Sequence, residues 1–344
     1  MSSHTDNLKL FKYDPETDGA STFSLKTALN DNWDKLDAEV AGKADIRLSN
    51  LANPAAALAR LGAGVRPNLL LNPFFAVNQR GQTSYTTAGY TVDGWGLIAN
   101  TETLMTVQAD GVVLTASSQY GSYLYQIIPP EEVARLRGET VCFSALCGKN
   151  DNAAWYANIY VDNQWRDSFA LTPNAVSAKA YAVPEDAQRM HLSFGSGAAG
   201  SCKLRAAKVE LGNTQTLGYQ DEDGAWHLLP QPESDYATQL ARCQRYYWQS
   251  EMLYATNNYV SSAYLLCNVR YPVRMRTTPA VTLMSHLGTP NQVSQWGSGV
   301  DSGIAISVNS AYANCEGFDS IVATSGAFLD VERYAFRVAA TAEL

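Results

Sequence analysis

The stretch NPFFAVNQRG, residues 72–81, is followed twelve residues later by DGW, residues 93–95. It mixes apolar bulk with two Asn, a Gln, an Arg and a Gly. Those are the polar side chains of a binding loop, yet no catalytic pair stands among them. Asn72-Pro73 is turn chemistry. Phe74, Phe75 and Val77 suit a core, and Trp95 suits packing inside it. Asp93 or Gln79 can then satisfy backbone groups that the turn leaves open. The stretch therefore reads as the start of a fold rather than as a site.

The runs that follow, from about residue 66 to 215, say which fold. GVVLTAS, YLYQIIP, ETVCFSALC, AWYANIYVD and MHLSFGSG are short, rich in β-branched and aromatic residues, and separated by Gly, Asn, Asp and Pro. Tyr123, Tyr125 and Ile127 alternate, as do Trp155, Ala157, Ile159 and Val161, which gives each run one buried face. In KLRAAKVELG the alternation of Leu204 and Ala206 slips by one to Val209 and Leu211, which predicts a β-bulge. Strands at this spacing predict a sandwich or jelly roll.

Towards the C-terminus, Leu240, Cys243, Tyr246 and Tyr247 in ATQLARCQRYYWQS predict a helical turn docked on a sheet. SSAYLLCNVRYP, PAVTLMSH, GIAISVNS and YAFRVAATAEL then read as strands; Ile304, Ile306 and Val308 alternate, as do Tyr334, Phe336 and Val338. The last strand is expected to pin the terminus in a sheet.

The N-terminal segment differs. Residues 1–22 are polar, with turn chemistry in YDPETDGAST. In FSLKTALNDNWDKLDAEVAGK, Leu29, Trp33, Leu36 and Val40 are spaced 4, 3 and 4, a heptad stripe. A stripe this narrow on a short helix needs a partner to be stable. Asn53-Pro54 opens a second helix that Gly62 ends.

LSNLANPAAALARLGAG, residues 48–64, resembles the segment that joins stalk to distal domains in bacteriophage tail fibres and tail spikes. NLLLNPFFAVNQRG with DGW, closed by KVELG at 208–212, resembles a carbohydrate-binding-module-like sandwich found in phage tail proteins. LARCQRYY and VRYPVRMRTTPAVTL look like the openings of tail-fibre tips. The resemblance touches three separate stretches, and their order carries it. It implies a homotrimer with the stripe Leu29, Trp33, Leu36 and Val40 as its seam. It further implies attachment to a baseplate or tail protein through the N-terminus, and a tip that meets a bacterial surface polysaccharide.

Composition narrows the functions. Charged residues make up 17% of the 344, low for a soluble chain, and net charge is -8. No basic block occurs, which excludes phosphate-tracking nucleic-acid binding and an anionic membrane partner. No run of 18 apolar residues and no apolar N-terminal region is present, so neither membrane insertion nor a signal peptide is expected. The six Cys, at 142, 147, 202, 243, 267 and 315, lack C-x-x-C spacing and read as free buried thiols of a chain made in a reducing cytoplasm.

No enzyme signature emerges. Glu131 and Glu132 are adjacent and point apart, Asp221, Glu222 and Asp223 lie in a polar segment, and no repeat builds a β-helix. The His at 4, 191, 227 and 286 form no zinc motif, and no cofactor is implied. Sugar sites instead use exposed rings with planar polar side chains beside them. SHLGTPNQVSQWGSGVDSG offers Trp296 with Asn291, Gln292, Gln295 and Asp301; YATNNYVSS offers Tyr254, Asn257, Asn258 and Tyr259.

The expectation is a mainly β protein: a short N-terminal coiled-coil stalk followed by two β-sandwich, jelly-roll-like domains. Residues 1–22 form the attachment segment, 23–64 the trimerisation stalk, 65–216 the first sandwich, 217–239 a linker and 240–344 the tip. The expected role is a non-enzymatic receptor-binding protein in the tail of a phage or phage-tail-like particle, acting outside the cell that makes it. The alternatives are a structural adaptor without receptor binding and a polysaccharide depolymerase.

Overall fold

The computed structural model describes residues 3–4, 10–12, 31–42, 64–99, 103–116, 122–151, 155–221, 223–232, 234–257, 262–296, 300–329 and 332–344. The chain divides into two compact units, Met1–Gly64 and Val65–Leu344.

In the first unit, β1 (Ser3–His4) pairs with β2 (Phe11–Lys12), and α1 spans Asp31–Gly42. Asp31 and Asp34 in its first turn favour the positive end of the helix dipole. Trp33 is 62% exposed on this helix and Leu36 is half-buried. Leu29 and the helix expected after Pro54 lie outside the described residues, as does the side chain of Val40.

The second unit is mainly β. Its first half packs two six-stranded antiparallel sheets face to face. One runs in the order β11 (Gln164–Ala170), β10 (Trp155–Val161), β13 (Met190–Ser196), β8 (Tyr123–Ile128), β5 (Gly96–Ile98) and β4 (Gly89–Tyr90). The other runs β12 (Ala175–Ala182), β9 (Thr140–Asn150), β14 (Gly200–Leu211), β7 (Gly111–Ala116), β6 (Leu104–Gln108) and β3 (Ser84–Tyr85). Between them lies a core built on Trp95, Trp155, Phe75, Phe143 and Phe194. Trp155, Ala157, Ile159 and Val161 all point into it. The bulge expected in β14 is present but lies at Leu204 rather than after Ala206, so Ala206 turns to the outer face while Ala207 and Val209 enter the core. Leu211 is the exception to its alternation: it sits at the strand end, 48% exposed.

In β8 the inward set is Leu124, Gln126 and Ile128, so the aromatic partners Tyr123 and Tyr125 face outward instead. Gln126 is tolerated inside because its amide exchanges two hydrogen bonds with the backbone of Leu71.

The opening stretch is the pin of this sandwich. Asn72 and Phe75 take left-handed backbone conformations, with φ of 45° and 60°. The Asn72 amide donates to the carbonyls of Val77 (2.8 Å) and Asp93 (3.1 Å) and accepts from Val77 N–H. Its own carbonyl receives the Trp95 indole N–H at 3.1 Å. Phe75 lies 4.9 Å from Trp95, ring to ring. Phe74 packs instead beneath the segment expected to be a linker. There β15 (Gly218–Gln220) and β16 (Trp226–Leu228) form a hairpin, and Leu217, Trp226 and Leu228 cover Leu146 and Ala206. Apolar residues within this polar segment fold it onto the outer face of the second sheet. Under the hairpin, Lys208 and Glu210 are fully buried, and Lys208 donates to Thr216 Oγ1 and Gln231 Oε1.

Among the described residues two α-helices accompany the sheets: α2 (Pro130–Leu136) and α3 (Tyr236–Gln244), the latter capped by Asp235, whose carboxylate accepts from Thr238 N–H. After α3 come β17 (Tyr247–Gln249), β18 (Leu253–Thr256), β19 (Tyr264–Arg270), β20 (Ala280–Met284), β21 (Gln292–Gln295), β22 (Asp301–Val308), β23 (Gly317–Ser325) and β24 (Arg333–Thr341). β24 organises this tip. Its first half pairs with β18 and β21, its second with β17 and β20. Phe336, Val338, Phe318, Leu265 and Ile321 fill the core beside it.

Sandwich and tip are joined rather than strung apart. Arg80 places its guanidinium 3.7 Å from the Tyr247 ring centre and pairs with Glu343 at 2.6 Å. Gln79 Nε2 donates both to Asp93 and to the Tyr247 carbonyl. Tyr90 donates to the Leu344 carbonyl.

Candidate functional site

The two loops singled out by composition converge on the tip, and β24 brings them together. Tyr254 on β18 is registered against Ala335, and Gln295 on β21 against Tyr334. Trp296 N–H donates to the Arg333 carbonyl at 2.8 Å. Arg333 thus emerges between two rings, its guanidinium 4.7 Å from the centre of Tyr254 and 5.0 Å from that of Trp296. Tyr254 is 48% exposed and Trp296 52%. Beneath them Tyr334 is buried, its hydroxyl accepting from Leu329 N–H, which stiffens the floor.

This platform joins apolar ring faces to a planar, permanently charged donor. Rings stack on the C–H faces of sugars; a guanidinium offers donors to hydroxyl or carboxylate oxygens. Arg333 has no sequence signal of its own, being a single Arg at the start of an alternating strand.

The other nominated residues divide. Asn257 is buried, its amide donating to the Leu329 carbonyl, so it holds the loop rather than facing solvent. Asn291 is exposed in a left-handed turn (φ 57°), with its backbone bonded to Leu283 and Ile306. Gln292 and Gln295 are half-buried on β21. Asp301 accepts from Thr289 Oγ1 (2.6 Å) and Ser294 Oγ (3.0 Å). Desolvation pushes its carboxyl up, but the hydroxyls of Thr289, Ser285 and Ser294 together hold it below its ordinary range. It braces the loop that carries Trp296. Asn258 and Tyr259 lie outside the described residues.

A second aromatic surface lies on the outer face of the first sheet. Three rows of side chains cross it. Trp165, Tyr160, His191 and Ile127 are registered across β11, β10, β13 and β8. Ser168, Asn158, Ser193 and Tyr125 form the next row, ending at Gly96. Tyr156, Gly195 and Tyr123 form the third. Tyr160 and His191 stack at 4.4 Å and 9°, and Tyr125 meets His191 edge-on at 6.3 Å. Gly96 makes room: a Cβ there would lie 2.5 Å from the Tyr125 ring. Burial, helped by Arg189, lowers His191 to about 4, so its imidazole is neutral at pH 7. Its Nδ1 is buried without a hydrogen-bond partner. The outward alternation of Tyr in YLYQII and YANIYV was the available signal; it reads equally well as core.

Among the described residues, no three His, Cys, Asp or Glu side chains converge as a metal site, and no helix is long and apolar enough to cross a membrane.

No protein-family model matches the chain, and no curated protein sequence matches it. Among solved structures, the CBM22-1–GH10 modules of Clostridium thermocellum xylanase 10B with xylohexaose align over 46% of this chain and 30% of that one, at 15% identity and TM-score 0.31. The CBM22-1 xylan-binding domain of Paenibacillus barcinonensis Xyn10C aligns over 44% of this chain and 99% of its own, at 12% identity and TM-score 0.29. The enzymatically active domain of bacteriophage CBA120 tailspike protein 4 aligns over 42% of this chain and 21% of that one, at 16% identity and TM-score 0.28. The chain therefore spans about a third or less of two of these three structures.

Proposed function

We propose that this chain is a receptor-binding protein of a phage tail or tail-like particle, and that its tip binds a bacterial surface glycan. The observation that carries the reading is the convergence of Tyr254 and Trp296, from separate loops, around Arg333. Two half-exposed rings bridged by a guanidinium match the amphipathic surface of a sugar, apolar on its faces and polar at its rim. The role is binding without bond cleavage. The stripe on α1, with Trp33 exposed, supports assembly as a homotrimer, and residues 1–22 attach the trimer to a baseplate or tail protein. Three weak tip sites on one particle then act by avidity. The outer face of the sandwich supports a second glycan contact, because the partnerless His191 Nδ1 sits within a row of stacked rings.

The test is retention of the full-length protein on a panel of purified bacterial surface polysaccharides, with the reducing ends counted. Retention on at least one polysaccharide without new reducing ends supports the reading. New reducing ends assign a depolymerase instead, and retention on none assigns a structural adaptor.

A further inference from the structure

We infer that a groove between α3 and the loop 271–279 is a binding site for a phosphate-bearing ligand, distinct from both aromatic surfaces. The groove encloses about 770 Å³ and is lined by Arg242, Arg245, Arg274 and Arg276, with Thr238 and Met275. Four guanidinium groups on one groove are a strong local excess in a chain of net charge -8. Two of them are held in place by backbone carbonyls. Arg242 donates to Asn68 and Leu70, and Arg276 donates to Ala342 through Nε (3.3 Å) and a terminal nitrogen (3.2 Å). Arg276 keeps further N–H donors beyond those bonds. Arg276 N–H also donates to the Arg245 carbonyl, which ties the loop to the end of α3.

The other two are exposed. Arg274 donates Nε to Cys315 Sγ at 3.2 Å, which leaves the outer edge of its fork unused. Among the described residues, neither Arg245, Arg274 nor Arg276 forms an ion pair with a carboxylate. The nearby acids lie to the sides. Glu131 and Glu132 line an adjoining cavity of about 440 Å³ whose wall also includes Arg242 and Arg245, and Glu132 is paired with Arg135 at 3.2 Å. Glu316 lies near Arg274. An anion is therefore placed at the Arg245–Arg274–Arg276 end. Guanidinium forks match the tetrahedral oxygens of phosphate, and their bonds to it are charge-assisted. The groove has room for a phosphate together with the sugars that carry it.

The experiment is calorimetric titration of the full-length protein with inorganic pyrophosphate, trigalacturonate and neutral maltotriose. Pyrophosphate should bind, and more weakly as salt is raised. Its affinity should fall at least about tenfold in Arg245→Gln/Arg274→Gln, about 1.4 kcal/mol. Arg166→Gln, exposed on β11 of the sandwich, should bind as the wild type does. The pair Arg245→Lys/Arg274→Lys keeps the charge without the fork and should retain an intermediate affinity; it serves should the Gln pair fail to fold. Binding of trigalacturonate without pyrophosphate overturns the phosphate assignment in favour of a carboxylate. No binding of either anion, or binding unchanged in both double variants, overturns the site. Neither result touches the tip platform, whose residues lie elsewhere.

Discussion

At the residue scale, three groups have environments that dictate measurable behaviour. Burial raises Glu343 from 4.5 to about 7, although Arg80 beside it pulls the other way. Its Oε1 is buried without a partner, which fits a carboxyl that resists ionisation. The folded chain therefore holds a proton that the unfolded chain has lost between about pH 4.5 and 7. Stability from this group is full below that window and is lost as pH rises through about 7. His191 runs the other way: lowered from 6.5 to about 4, it contributes stability above pH 6.5 that is lost as pH falls through about 4. The two windows overlap with opposite sign between about pH 4.5 and 6.5, so across it melting temperature should climb with pH in Glu343→Gln, which leaves His191 alone, and fall with pH in His191→Gln, which leaves Glu343 alone. A profile that neither variant alters contradicts both assignments. Asn72 is the third group. Asn72→Ala leaves the Val77 and Asp93 backbone groups short of partners and puts Ala at positive φ. A loss of about 3 kcal/mol is expected in urea unfolding; a loss under about 1 kcal/mol would show that the pin is dispensable.

At the scale of elements, alternation was a good guide wherever only one face of a strand was apolar. Trp155, Ala157, Ile159 and Val161 point inward as their spacing implies, and the slip in KLRAAKVELG is a bulge. YLYQII defeated the same rule because both of its faces are apolar or aromatic. The inward choice there rests on Gln126 finding the backbone of Leu71, a partner 55 residues away. The hairpin at 218–228 was hidden for a similar reason: its few apolar residues act against Leu146, Ala206, Phe74 and Val176, all distant in sequence. Trp296 was legible because no alternation could bury it. Arg333 was not, since its meaning comes from two rings that only β24 brings to it. The first sheet offers its own test. Gly96→Ala displaces the flexible end of Tyr125, so stability should fall by only about 1 kcal/mol. Any ligand held on that face should nonetheless bind several-fold more weakly in Gly96→Ala, as read by the same polysaccharide retention assay. Unchanged retention would take Tyr125 out of the contact.

At the scale of the molecule, sandwich and tip form one compact unit fastened by Arg80, Glu343, Gln79 and Tyr247. A tip so anchored transmits the orientation of the sandwich to the platform. The proposed trimer adds multiplicity. Light scattering on the full-length protein should give about three times 37.4 kDa, and Trp33→Asp/Leu36→Asp should lower it towards a single chain. A monomer in both would remove avidity from the account; a trimer in both would move the interface off α1.

The central claim is that the tip platform holds the glycan, and adsorption to intact bacteria tests it most directly. Across a panel of strains, the wild-type protein and the variants Trp296→Ala and Arg333→Ala should be compared on each strain that retains the wild type. Either substitution should lower adsorption at least about tenfold, amplified by avidity, while melting temperature changes little. Full adsorption by both variants would contradict the claim and shift the receptor contact to the aromatic face of the sandwich.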